Sequence, residues 1–281
     1  MIDRTRTIRD VIVPTFIYGT AWKEELTAPL VARALSAGFR GIDTANQRRH
    51  YHEAGVGLAL SRAFERNEVA RADVFVQTKF TFPAGQDHRM PYDPHASVAE
   101  LVEQSFRSSQ EHLGMGRIDS YVLHGPSQPR GLGDADRKSW RAMEARHAAG
   151  DARLLGISNV RPDQLEALCE FAAVPPAFVQ NRCFARTGWD VAVREVCAER
   201  GIVYQAFSLL TANPAALGRP ELAAIAERHG RTRPQVVFRF ALQLGMIPLT
   251  GTTDPRHMEQ DLDVYDFELT EEEVAVIEGL A

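Results

Sequence analysis

Val74-Phe75-Val76-Gln77-Thr78-Lys79 is a short apolar run that closes on a lysine, and the chain repeats the figure with other closing residues. Phe39 to Ile42 closes on Asp43, and Ile118-Asp119-Ser120-Tyr121-Val122-Leu123 closes on His124. Short apolar runs bounded in this way predict buried strands. Between them, Leu26, Leu30, Val31, Ala34 and Leu35, and again Val98, Leu101, Val102, Ser105 and Phe106, fall at helical spacing. Arg153 to Ile157 supplies another strand, Pro162 opens a helix at its first turn, and Gly201 ends one before the strand Ile202 to Phe207. Strand followed by helix, repeated, predicts a parallel sheet. A length of 281 residues without a composition break predicts an α/β fold closed as a single-domain (β/α)8 TIM barrel over residues 1–281.

In such a barrel the strand ends face one rim, where chemistry is kept. Asp43, Lys79 and His124, with Tyr51 in the segment after Asp43, therefore form a candidate catalytic quartet. A phenol is a poor acid near neutral pH; a neighbouring ammonium favours its phenolate, and a carboxylate keeps that ammonium charged. These are the parts for protonating a carbonyl oxygen. Asp43 or Lys79 alone reads equally as a structural ion pair, and Tyr121 and Trp140 read as packing residues.

Composition excludes more than it assigns. With 44% hydrophobic and 25% charged residues the chain matches a soluble globular protein. A net charge of -5 and a pI near 6.0 give no electrostatic reason to expect nucleic acid. The start MIDRTRTIRD (1–10) lacks the apolar stretch of a signal peptide and no segment approaches a membrane span, so a cytoplasmic location is expected. Cys169, Cys183 and Cys197 show no metal-ligand spacing and read as buried or half-buried thiols. His50 and His52 in HYHE (50–53) are two apart, where the helical zinc motif needs four, so no metal is expected. Neither GxGxxG after a strand nor GxxxxGK[ST] occurs, which leaves a Rossmann domain or a P-loop hydrolase unsupported. Thr81 to His95 and Ser127 to Asp136 read as long loops at the rim, where substrate selection is expected.

The spelling of these segments resembles the aldo-keto reductase superfamily. GFRGIDTA (38–45), VFVQTKF (74–80) and IDSYVLHGP (118–126) are similar to its aspartate, lysine and histidine strands. IYGTAW (17–22), GISNV (156–160), FVQ (178–180), YQAFSLL (204–210) and IPLTGTTDPRHMEQ (247–260) follow in the family's order. The resemblance implies reversible hydride transfer between a nicotinamide cofactor and an aldehyde or ketone, with Tyr51 as proton donor. It implies a carboxamide site at Ser158, Asn159 and Gln180, a stacking ring at Phe207, and further cofactor contacts at Gly19, Thr20, Asp43, Ser208, Leu210, Glu259 and Gln260. Trp22, Tyr51 and His124 would meet the substrate, and Gly125, where many relatives carry tryptophan, should widen the pocket. The family's phosphate-gripping lysine and serine are replaced by Leu249 and Thr250, with Arg256 retained one residue late. NADPH is therefore expected to be favoured, less strongly than in relatives, with NADH possible. A small-molecule carbonyl is the implied partner, and the expected state is a monomer or weak homo-oligomer.

The chain departs from the family in NQRRHYHEAGVG (46–57), which carries two net additional residues. The family reads tyrosine, two residues, then glutamate; counting back from Glu53 puts His50 where the phenol belongs, with Tyr51 beside it. Tyr51 is the expected donor, because a lysine and aspartate pair helps a phenol and suppresses an imidazolium. The ending DFELTEEEVAVIEGLA (266–281) leaves no room for the tail that many relatives fold over the site, so an open, permissive pocket is expected. Two other readings stand beside this one: a barrel lyase or aldolase forming a Schiff base on Lys79, and a nucleotide-binding sensor of low turnover.

Overall fold

The computed structural model describes residues 2–280; Met1 and Ala281, the ends of the expected 1–281 domain and the expected chain end, lie outside the described residues. A hairpin of β1 (Thr5–Ile8) and β2 (Val11–Pro14) precedes the barrel and turns Ile8, Val11 and Val13 onto its floor, against Phe75, Leu154 and Phe178. Eight parallel strands then close on themselves: β3 (Ile17–Gly19), β4 (Gly41–Asp43), β5 (Phe75–Phe80), β6 (Ile118–Leu123), β7 (Ala152–Ser158), β8 (Phe178–Arg182), β9 (Val203–Phe207) and β10 (Ile247–Thr250). Closure is through β10, which pairs with β9 on one side and with β3 on the other. The expected (β/α)8 barrel is the observed fold.

Helices α1 (Thr27–Ala37), α2 (Glu53–Glu65), α3 (Val98–Leu113), α4 (Asp134–Ala148), α5 (Pro162–Phe171) and α6 (Val191–Arg200) return the chain between successive strands. After β9 the return is made by α7 (Pro214–Gly218), α8 (Pro220–His229) and α9 (Arg233–Gln243), and α10 (Pro255–Leu262) and α11 (Glu271–Glu278) follow β10. Their boundaries follow local chemistry. Ser97 caps α3 reciprocally with Glu100, Pro162 sits at the start of α5, and Gly201, at φ 66°, ends α6 in the left-handed conformation that glycine adopts without strain. Tyr121 and Trp140 are fully buried, and Cys183 and Cys197 are buried with Cys169 half-buried, all as expected.

Several boundaries differ from the sequence reading. Leu26 caps α1 and is 62% exposed, so the helix starts one residue later than its spacing suggests. The predicted loop Ser127 to Asp136 gives its last residues to α4, which starts at Asp134. Phe39 and Arg40 precede β4, and Val74 precedes β5. β5 runs past Lys79, because Phe80 still pairs with Leu123; Lys79 therefore points into the barrel below the rim and is fully buried.

One close approach sets the helix layer beside the site. A Cβ on Gly57 of α2 would fall 2.0 Å from the carbonyl oxygen of His112 on α3. Alanine gains about 1 kcal/mol in helix propensity, but the clash is with backbone, which cannot rotate away. Gly57→Ala should lower stability by about 3 kcal/mol, seen in chemical denaturation as a lower midpoint with an unchanged slope.

Candidate active site

Register brings the deepest part of the site together. Asp43 pairs with Gln77, and Gln77 with Ser120, across β4, β5 and β6, while Gln180 pairs with Gln205 across β8 and β9. Their side chains meet inside the barrel. Lys79, two residues beyond Gln77 and so on the same strand face, donates to both carboxylate oxygens of Asp43, at 2.7 and 2.6 Å, and to Thr44 O at 2.8 Å. Asp43 Oδ1 also accepts from Gln77 Nε2 at 2.7 Å and Gln180 Nε2 at 2.9 Å. Both glutamines donate to Gln205 Oε1, and Ser120 donates to Gln77 Oε1. A buried pair is tolerable only when its remaining hydrogen-bonding capacity is met, and this layer of glutamines meets it. Burial pulls the Lys79 ammonium down from its ordinary value, and Asp43 pulls it back up.

Tyr51 hangs over this pair from the loop after β4. Thr44 N and Asn46 N extend the ladder onto β5 through Gln77 O and Lys79 O, and a turn on Gln47 O receives the N–H groups of His50 and Tyr51. The turn takes up the additional residues and separates the two candidate donors. Tyr51 faces inward, its ring 5.1 Å from Lys79 Nζ and edge-on to His124 at 5.9 Å between centroids. His50 stacks on Trp22 at 4.0 Å and lines the same cleft as Tyr51. Asp43, Tyr51, Lys79 and His124 are thus one spatial cluster, and His50 joins the cleft from its stack on Trp22.

The direction of the phenol's shift corrects an expectation. The sequence reading has Lys79 lowering the Tyr51 pKa; instead burial pushes it well above the ordinary range, with Asp43 adding to the rise. The reason is charge balance. Asp43 sits within 2.6 Å of Lys79, and no hydrogen bond joins Lys79 to the phenol among the described residues, so the pair presents little net positive charge to Tyr51.

His124 follows β6 directly, with its N–H on Phe80 O at 2.8 Å and its carbonyl accepting from Asn159 Nδ2 at 2.8 Å. Burial, then Lys79, then His50 push its pKa down to about 3, so the imidazole is neutral at physiological pH. Its Nδ1 lies 2.7 Å from Thr81 Oγ1.

Above these groups opens a cleft of about 1280 Å³, at the large end for a small-molecule site and long enough to cross the rim. Asp43, Tyr51, His124 and Trp22 line one part, with Trp22 71% exposed. Ser158, Asn159, Gln180 and Phe207 line the middle, together with Gly19, Ser208 and Leu210, and Leu249, Thr250 and Gln260 line the far part. Three expected cofactor residues lie elsewhere. Thr20 is fully buried and donates to Asp43 O at 2.9 Å, Arg256 points to solvent and pairs with Asp254 at 3.6 Å, and Glu259 is exposed on α10.

The sequence reading missed several cleft residues. Lys23 is buried, donates to Gly251 O at 2.7 Å and so ties the loop after β3 to the loop after β10; burial brings it down to about 8. Arg182 lies 5.6 Å over Phe207, and Asp261, pushed by burial up to about 6, lines the far end. Gln77 and Gln205 stand out in hindsight as amides inside otherwise apolar strands, and Thr81 closes β5 as His124 closes β6.

Comparison with known proteins agrees with this geometry. The aldo/keto reductase family pattern matches residues 15–281. An aldo-keto reductase of Mycolicibacterium vanbaalenii is 32% identical over 255 residues, spanning 89% of this chain and 81% of that protein. The aldo-keto reductase MT3049 of Mycobacterium tuberculosis is 31% identical over 262 residues, 92% of this chain and 83% of its own. An aldo/keto reductase from Brucella melitensis superposes with a TM-score of 0.82 at 27% identity over 100% of both chains. A Bombyx mori aldo-keto reductase solved in complex with NADP has the same fold, with a TM-score of 0.83 at 24% identity over 100% of this chain and 93% of that one. The family's enzymes are oxidoreductases that use nicotinamide cofactors on small carbonyl substrates, and this chain belongs to the aldo/keto reductase family.

Proposed function

We propose that the protein reduces an aldehyde or ketone of a small molecule to the alcohol, with Tyr51 as the proton donor. The observation that carries this reading is the meeting of Tyr51 and His124 at one wall of the cleft, above the buried Lys79 and Asp43 pair. The raised phenol keeps its proton at neutral pH, as a donor must. Neutral His124 orients the substrate's carbonyl oxygen and polarises it. Tyr51 Oη then gives its proton to the developing alkoxide; the phenol O–H bond breaks and the alcohol O–H forms. The phenolate left behind gains from the ammonium of Lys79, whose charge matters most at that moment. Tyr51 and His124 are half-buried in the cleft, which limits water at the reacting atoms.

The cleft's chemistry fits a nicotinamide dinucleotide, which when bound supplies the hydride. Gln180 Oε1 and Asn159 Oδ1 have no protein donor among the described residues and are suited to accept from a carboxamide, while Phe207 offers a half-buried aromatic face beside them. Lys23 and Arg182 bring positive charge suited to a diphosphate. His257, Gln260 and Asp261 of α10 line the far end, and Arg256 lies one helical turn before Gln260, with only an exposed ion pair to break before it can turn inward. We expect NADPH to be favoured through Arg256 and Thr250, with NADH also used. Arg256→Ala should weaken NADPH by roughly one to two decades in dissociation constant and leave NADH nearly unchanged, the loss of one charged hydrogen bond costing about 1.5 to 3 kcal/mol. Equal weakening of both cofactors would remove Arg256 from phosphate recognition.

Oxidation of NADPH and NADH followed by absorbance against aliphatic, aromatic and sugar carbonyls tests the reaction class. Tight cofactor binding without turnover on any of them would favour the sensor. The Schiff-base reading meets a structural obstacle: Lys79 is fully buried, with its ammonium committed to Asp43 and Thr44. Borohydride treatment with a carbonyl substrate should leave Lys79 unmodified. Monomer or weak homo-oligomer, and a cytoplasmic location, remain part of the proposal; no helix among the described residues is long and apolar enough to cross a membrane.

A further inference from the structure

We propose that Thr81 is a positioning residue that holds the proton of His124 on Nε2, the ring nitrogen left free for the carbonyl oxygen. The inference rests on the reductase reading for its consequence and on geometry for its origin.

Thr81 and His124 are the first residues past β5 and β6, and the pairing of Phe80 with Leu123 carries the same register one step further, with His124 N on Phe80 O at 2.8 Å. Thr81 Oγ1 then lies 2.7 Å from His124 Nδ1. This is a built contact. Thr81 is 6% exposed, its carbonyl accepts from Tyr92 Oη at 2.5 Å and from Gln86 Nε2 at 3.5 Å, and its methyl sits so close to Gly85 that a Cβ there would approach it to 2.7 Å. The threonine is held from three sides, and the direction of its hydroxyl decides the histidine's tautomer.

In a neutral imidazole one nitrogen donates and the other accepts, and the partner of one fixes the state of the other. Two arrangements satisfy the contact. If Nδ1 carried the proton, it would donate to Oγ1, and the buried threonine hydroxyl would be left with no protein acceptor among the described residues. If the hydroxyl donates to Nδ1, its proton is used, Nδ1 is satisfied and Nε2 carries the proton. The second arrangement moves the one unpaired donor from the threonine hydroxyl, which is held at 6% exposure, to Nε2–H on the more exposed histidine in the cleft, where a substrate oxygen can take it. It also presents an N–H toward a carbonyl oxygen, where the first would present a lone pair. No protein group takes Nε2 among the described residues, and His124 lines the cleft.

The test is heteronuclear NMR of protein carrying ¹⁵N-histidine, at neutral pH and without substrate, read beside steady-state kinetics. In the wild type, His124 should show a protonated Nε2 and an unprotonated Nδ1. Thr81→Val, nearly the same shape without the hydroxyl, should shift the ring toward a mixture of tautomers and lower kcat by about tenfold, with cofactor dissociation constant and melting temperature close to wild type. Thr81→Ser should restore the tautomer and most of the lost kcat. A wild-type ring protonated on Nδ1, or a tautomer unmoved in Thr81→Val, would overturn the assignment. Its failure is distinct from failure of the reductase reading: the spectrum is read without turnover, whereas an absence of carbonyl reduction would sink the reading and leave the tautomer measured.

Discussion

Tyr51→Phe should abolish carbonyl reduction, lowering kcat by about a thousandfold while the cofactor dissociation constant stays within about twofold. The phenol oxygen makes no hydrogen bond to the protein among the described residues, so its removal costs little stability and the ring keeps its place over Lys79 and beside His124. His50→Gln should be milder, within about tenfold, since His50 packs on Trp22 whereas Tyr51 lies over Lys79. The reverse ranking would transfer the acid role to His50. The pH profile gives a second check. Because the phenol is shifted upward, reduction should stay flat through neutral pH and decline only under strongly alkaline conditions, as the donor proton is lost. Alcohol oxidation needs the phenolate and should climb with pH over that range. A fall in reduction centred near pH 6 to 7, removed in His50→Gln, would again point to the imidazole.

How much of this was legible in the sequence depends on which forces act locally. Apolar runs ended by polar residues mark strands because a strand covered by helices on one side and packed inside the barrel on the other is apolar along its length, and glycine and proline mark the helix ends through backbone geometry alone. Asp43, Lys79 and His124 could be placed near the rim on those grounds. Their depth could not. One residue of extra pairing at Phe80 puts Lys79 inside the barrel, and the sign of the Tyr51 shift follows from that burial and from the balance between Lys79 and Asp43. The contact between Thr81 and His124, and the glutamine layer from β5, β8 and β9, join residues far apart in sequence through strand register, which no local pattern reports. The loop of Tyr51 is the opposite case: motif counting points to His50, and only the turn on Gln47 O shows that Tyr51 is the one whose ring lies over Lys79.

Lys79→Met should lower kcat for reduction by about a hundredfold or more with cofactor affinity retained, and should destabilise the fold as well. The loss of stability follows from the two short contacts to Asp43. Methionine approximates the length of the side chain but leaves Asp43 without its ammonium, holding only the amide donors of Gln77 and Gln180. Removing one partner of a buried pair typically costs about 3 to 5 kcal/mol, because the other charge stays buried. The loss in kcat has a separate origin: without the ammonium, the phenolate formed as Tyr51 gives up its proton has no nearby positive charge. The double variant Lys79→Met, Asp43→Asn separates the two. It removes the stranded carboxylate and so should recover much of the melting temperature, yet it restores no positive charge beside Tyr51 and should remain as slow as the single variant. Recovery of turnover along with stability would mean that the pair serves the fold alone. Near wild-type turnover in Lys79→Met itself would refute the role given to its ammonium in the proton transfer.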